Sequence, residues 1–217
     1  MKKILLLLFV LSFSFASFSQ VRIGLRLAPG VSFNGVTDKN KGDSTQFSKN
    51  GAGFAFSAGV NLDFFFSDNY ALMTGLWYST KSAGLKVTDP LFGTYTQKVN
   101  LQYVQLPVAL KVYTNEFITN MKLYFLLGGT IDVKIAEKLA KSNPTNNNYI
   151  NSYQPLNVGI LVGSGVEYKT GGSVILFGGI YYNRGLLGQF KNNDNFKFKD
   201  NAKYGISSLN LEIGAKF

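Results

Sequence analysis

The chain has 217 residues, of which 46% are apolar, 15% aromatic and 16% charged, with 22 Lys and Arg against 12 Asp and Glu and neither Cys nor His. That is too aromatic and too lightly charged for a disordered chain, and a disulfide scaffold is impossible. Without imidazole or thiolate there is also no zinc finger, no Cys-His or Ser-His-Asp nucleophile, and no haem or iron–sulfur ligation.

Lys2 and Lys3 form a short basic start, Ile4 to Phe15 an apolar run, and Ser17 and Ser19 the small residues ahead of Gln20. This pattern predicts a secretory signal peptide over 1–19 and a single barrel domain over 20–217. A membrane helix needs about 20 apolar residues, and this run supplies roughly a dozen. Losing Lys2 and Lys3 leaves a net charge of +8.

From Gln20 onward the hydrophobicity is spread as alternation. Val21, Ile23, Leu25 and Leu27 are separated by Arg22, Gly24, Arg26 and Ala28, the period of a strand with one apolar face. The pattern returns over Ala52–Phe64, Tyr103–Val112, Leu156–Tyr168 and Leu209–Phe217. Three further runs, Tyr70–Lys81, Met121–Asp132 and Ser173–Arg184, are strand-like with less regular alternation. Eight strands follow. Short turns are expected at 67–69, 114–120 and 169–172, and long polar loops at 34–50, 82–97, 136–152 and 185–202. Three short and four long connections put both termini on the short-turn side, the layout of an eight-stranded antiparallel up-and-down transmembrane β-barrel.

The polar parity carries the second argument. It is rich in glycine (Gly24, Gly53, Gly59, Gly75, Gly159, Gly163, Gly165, Gly214), as a narrow, curved lumen requires. It also carries Arg22, Arg26, Asp63, Lys81, Lys111, Glu167, Glu212 and Lys216, which are expected to fill the interior as ion pairs. Closing the first run against the last places Arg22 near Lys216 and Arg26 near Glu212. The alternative is a soluble periplasmic, lipocalin-like barrel that binds an apolar ligand, with the Val, Leu and Phe parity inside.

Two aromatic belts are expected, with Phe64, Phe65, Phe66, Tyr70, Tyr113, Phe117, Tyr168 and Phe217 on the short-turn side and Phe33, Tyr78, Tyr95 and Tyr182 on the other. Pro107 cannot donate to a ladder and predicts a local bulge or bend. Other motifs are weak. Asp38, Asn40 and Asp43 are interrupted by lysines, and Lys49 stands where a calcium loop needs a bidentate Glu. Gly159, Gly163 and Gly165 precede no helix and make no nucleotide fingerprint. Asp63 and Glu167 read as ion-pair partners before they read as an acid and a base. No catalytic residue, metal site or cofactor is expected.

The run Tyr103-Val104-Gln105-Leu106-Pro107-Val108-Ala109-Leu110-Lys111 resembles a signature strand of the outer-membrane β-barrel family of Bacteroidetes that includes PorT. Val158-Gly159-Ile160-Leu161-Val162-Gly163-Ser164-Gly165-Val166-Glu167-Tyr168 is similar to a second one. The resemblance extends over the mature chain. Where many members carry Arg-Tyr-x-x-Gly-Leu-x-x-Ile, this chain has Tyr181-Tyr182-Asn183-Arg184-Gly185-Leu186-Leu187. The resemblance implies a non-enzymatic outer-membrane protein that assists secretion or transport, with type IX secretion components among its partners. It also implies that Phe217, a terminal aromatic on the apolar parity, is the signal read by the barrel-assembly machinery. Nucleic acid is not an expected partner outside the cytoplasm. Outer-membrane lipid is, and the basic residues of the long-loop side (Lys39, Lys41, Lys49, Lys86, Lys138, Lys141, Arg184, Lys191, Lys197 and Lys199) suit the phosphates of lipopolysaccharide.

Overall fold

Alternating β-branched and aromatic side chains make strands along most of the chain. The computed structural model describes residues 20–38, 46–49, 51–89, 93–143, 154–187 and 202–217, so the expected signal segment lies outside the described residues. They form nine strands: β1 (Gln20–Asp38), β2 (Gln46–Lys49), β3 (Ala52–Ser67), β4 (Tyr70–Asp89), β5 (Gly93–Tyr113), β6 (Met121–Asn143), β7 (Leu156–Lys169), β8 (Ile175–Gly185) and β9 (Ala202–Lys216).

Eight of them run in the order β4-β3-β1-β9-β8-β7-β6-β5, every neighbour antiparallel, and the β4–β5 pairing closes the ring. The ninth, β2, lies on the far end of β4, from Gln46↔Thr88 to Lys49↔Leu85. Closure leaves no strand edge in the apolar band, where an unpaired backbone group would have no water to bond.

The apolar parity faces outward. Val21, Ile23, Leu25, Leu27, Val31 and Phe33 of β1 are 36–56% exposed, while Gly24, Arg26, Ala28, Ser32 and Asn34 between them are buried. A soluble barrel with an apolar ligand cavity needs the opposite arrangement, so that alternative fails. At ~3.3 Å per residue and a tilt of about 40°, the stretch Val21 to Phe33 rises about 30 Å, enough to cross a bilayer's hydrocarbon.

Gln20, where β1 begins, Phe217 and three short connections share one end of the barrel, here the turn end. The opposite wall is uneven, because β4, β5 and β6 continue well past the apolar band. The stretch 82–97 is a hairpin paired out to Asp89↔Gly93 and not a long loop, and β6 stays paired to β5 as far as Asn143↔Thr96. Outside the lipid both faces of a strand are wet, so hydrophobic alternation fades while backbone pairing persists.

Three details of register depart from expectation. The seam is offset by two residues, with Lys216 opposite Gly24 and Arg26 opposite Gly214. No bulge forms at Pro107. The β5–β6 ladder passes through Pro107↔Thr130, whereas the β4–β5 ladder has a gap between Thr74↔Val108 and Trp77↔Gln105 without changing register. The missing N–H thus falls on the β4 side, and the Thr74 hydroxyl donates to the Pro107 carbonyl at 2.9 Å. Pro29 leaves a similar gap in the β1–β9 seam, between Leu27↔Ile213 and Gly30↔Asn210.

Phe66, Tyr70, Phe117, Tyr168 and Phe217 are 44–61% exposed around the turn end, and Phe33 and Tyr78 are exposed at the other. Tyr113 does not belong to the outer belt. It shares the parity of Lys111 and points inward, 4% exposed, and Phe65, expected in the same belt, shares the inward parity of Asp63 and stacks on it at 5.5 Å between ring centroids. The side chain of Tyr95 lies outside the described residues.

Candidate functional site

An eight-stranded barrel is just wide enough for side chains to meet across its axis, and inward residues of alternate strands tend to stack in layers. The layer nearest the turn end comes from alternate strands of the ring: Asp63 on β3, Lys111 on β5, Glu167 on β7 and Lys216 on β9. Lys111 Nζ lies 2.9 Å from Glu167 Oε1 and 3.5 Å from Asp63 Oδ2. Lys216 Nζ donates to both carboxylates as well. The Tyr113 hydroxyl donates to Glu167 at 2.8 Å, and the ring of Tyr124 packs 4.0 Å from the Lys111 ammonium.

The middle layer is built on Arg26. Its guanidinium sits 3.7 Å from the ring centroid of Trp77 and 4.7 Å from that of Tyr181. Glu212 is its counter-charge at 3.2 Å and also accepts the Tyr124 hydroxyl at 2.7 Å. None of the guanidinium nitrogens makes a well-directed hydrogen bond, so Arg26 is held by ring faces and by charge. Trp77 in turn donates Nε1–H to Asn61 at 2.7 Å. Glycines supply the space: a Cβ on Gly59 would lie 2.7 Å from Trp77 Cα, and one on Gly179 would lie 2.7 Å from the Tyr124 hydroxyl.

Farther from the turn end, Lys81 donates to Asn183 at 2.7 Å and pairs with Asp132 at 3.5 Å. Asp132 also accepts from Gln105 at 2.8 Å and Asn157 at 3.2 Å. Asp132 is a lumen charge that the sequence reading missed. It closes the irregular run 121–132, where Leu123 to Leu127 hides the parity, and only the rule that every second residue points inward would have exposed it.

Of the eight charges singled out in the sequence, Arg26, Asp63, Lys81, Lys111, Glu167, Glu212 and Lys216 are at most 6% exposed. Arg22 is half-buried at the mouth, its guanidinium 4.4 Å from the ring centroid of Phe65. Together with Asp132, the fully buried set among the described residues is four cations and four anions, a neutral plug. Every one of these carboxylates faces a buried cation, which leaves none free to act as a general base. Among the described residues no group of three or more acidic side chains is arranged to hold a metal ion.

Beneath the first layer, the mouth at the turn end holds a cavity of about 530 Å³. Its wall includes Arg22, Lys122, Lys169, Glu167, Phe65 and Tyr113, and its rim is formed by the turns that carry Asp68, Asn69, Asn115 and Asn120. At the other end Lys86, Lys138 and Arg184 are exposed. Lys39, Lys41, Lys191, Lys197 and Lys199, and the side chains of Lys49 and Lys141, lie outside the described residues.

Residues 15–191 match the family model described as outer membrane protein beta-barrel domain. No curated protein matches the chain. Among solved structures it is similar to the outer membrane protein OprG from Pseudomonas aeruginosa, with 14% identity, 91% of this chain and 95% of that one covered, and a TM-score of 0.51. It is also similar to Neisserial surface protein A, with 12% identity, 92% and 100% coverage and a TM-score of 0.49. The outer membrane protease OmpT from Escherichia coli follows with 12% identity, 93% and 97% coverage and a TM-score of 0.42. The likeness to OprG, at 14% identity, is one of fold.

Proposed function

The chain belongs to the outer membrane protein β-barrel domain family and resides in the outer membrane, and from that premise we propose that it is a non-enzymatic envelope component that assists secretion or transport, as in the PorT-like family. The observation that carries this reading is the neutral, side-chain-filled lumen. Its charges are spent on one another, so the surfaces left to meet a partner are the two ends of the barrel. In this reading the turn end faces the periplasm and meets secretion components, type IX components among them. The basic loop end, with Lys86, Lys138 and Arg184, contacts the phosphates of lipopolysaccharide, and Phe217 is read by the barrel-assembly machinery.

The experiment is the secreted proteome of a strain lacking the gene, compared with its parent. Type IX substrates trapped in the periplasm support the secretion role; an unchanged secretome removes it. For the outer face, binding of lipid A to the purified barrel is expected to weaken as salt rises, and salt-independent binding would rule out the electrostatic contact.

A further inference from the structure

We propose that the cavity at the turn end is a receptor for the carboxylate of a periplasmic peptide segment, either its C-terminus or an acidic side chain. The cavity, about 530 Å³, falls within the range of small-ligand sites and accommodates a few residues of extended chain.

Its charge distribution selects an anion. Three cations line it, Arg22, Lys122 and Lys169, against the acids Glu167 and Asp68. Glu167 is already occupied from the lumen side by Lys111 and Lys216, so it offers little repulsion. Lys169 has its own partner in Glu116 at 3.5 Å. Lys122, half-buried in the wall, makes no ion pair among the described residues. Beside it, the Arg22 guanidinium is steadied over the Phe65 ring, which with Tyr113 supplies an aromatic wall for the carbon chain behind the anion.

The rim is pre-built. Asn69 donates its side-chain amide to Asn115 at 3.2 Å, and the Tyr113 N–H donates to the Asn69 carbonyl at 2.8 Å, which joins the first turn to the second. The Lys169 N–H donates to the Asn120 carbonyl at 2.9 Å, which joins the second to the third, and Asn120 itself takes a left-handed backbone with φ of 64°. A rim fixed before binding lowers the ordering cost of an occupant.

A peptide fits this place better than a membrane lipid does. Arg22, Lys122, Lys169, Phe65 and Tyr113 share the lumen parity, so the cavity opens along the barrel axis with Phe66 of the outer belt reaching its rim, whereas phospholipid headgroups would meet the outward rings of Tyr70, Phe117 and Tyr168. The proposal takes from the function above only that this end faces the periplasm; a normal secretome with intact carboxylate binding would leave it standing.

The test uses the ¹⁵N-labelled barrel, residues 20–217, refolded in nanodiscs and titrated with N-acetylphenylalanine, its uncharged amide, and glycerol 3-phosphate as the lipid-phosphate probe. Saturable amide shifts confined to 21–23, 65–70, 113–122 and 167–175 are expected with the acid, with binding roughly tenfold weaker for the amide. Lys122→Gln is expected to weaken acid binding about three- to tenfold without moving the urea midpoint, and Arg22→Gln serves as the second variant if the first does not fold. No saturable shift, equal affinity for acid and amide, or unchanged affinity in the folded variant would overturn the site. Tighter binding of glycerol 3-phosphate would overturn the peptide assignment.

Discussion

Replacing Glu212 by Ala isolates the charge on Arg26. The two side chains are 0% and 7% exposed, and their charged atoms are 3.2 Å apart. At that distance, and at an effective dielectric constant of about 20, unit charges attract by roughly 5 kcal/mol. The Tyr124 hydroxyl loses its acceptor as well, a further cost of about 1–3 kcal/mol. The faces of Trp77 and Tyr181 continue to hold the cation, each by ~0.5–2 kcal/mol, and water entering the space left by the carboxylate recovers part of the rest. The expected net loss is about 3–5 kcal/mol, the usual result of stranding one member of a buried pair. The barrel carries a single tryptophan, Trp77, in contact with the guanidinium, so urea unfolding in lipid vesicles followed by its emission reports on the perturbed layer directly. A second variant, Arg26→Met with Glu212→Leu, removes both charges and is expected to return to within about 1 kcal/mol of the parent or to exceed it. A single variant within about 0.5 kcal/mol of the parent, or a double variant less stable than the single one, would refute the account of this layer.

Ile213 is 62% exposed and stands opposite Leu27, in the middle of the outward apolar stripe. Ile213→Lys should therefore cost about 2–4 kcal/mol by the same urea titration, whereas Arg184→Leu, at the end of the band, should change stability by no more than about 1 kcal/mol. Deleting Phe217, which is 61% exposed, should lower the amount of barrel inserted in the outer membrane of living cells while purified protein still refolds in vesicles; equal insertion would remove its role as an assembly signal.

The sequence made the membrane-crossing part legible because lipid on one side and a crowded lumen on the other force strict alternation. Gly24 and Arg26 could be assigned inward from their neighbours alone. Tyr113 departs from the expected belt because an aromatic at a strand end is ambiguous; its parity with Lys111 decides its direction, and a hydroxyl between two carboxylates favours the interior. The long β4–β5 hairpin looks like a loop in sequence because Ser, Thr, Gly, Asp and Pro interrupt the apolar alternation of a strand that is wet on both faces. The cavity at the turn end was not legible at all. It depends on three turns meeting around the mouth, and neither the Asn69–Asn115 bond nor the unpaired state of Lys122 leaves any periodic trace.

The last strand also sets the order in which the molecule can be completed. β9 brings Glu212 to Arg26 and Lys216 to Asp63, residues 153 positions apart in the latter case. Until β9 arrives, Arg26 has no counter-ion, and Asp63 and Glu167 share the single cation Lys111. Without β9 the buried set is three cations and three anions, balanced in sum but mispaired by layer, with an uncompensated cation in the middle layer and a surplus anion in the layer at the turn end. Closing the seam and completing the ion pairs of two lumen layers are therefore one event, and it is the terminal strand that supplies both.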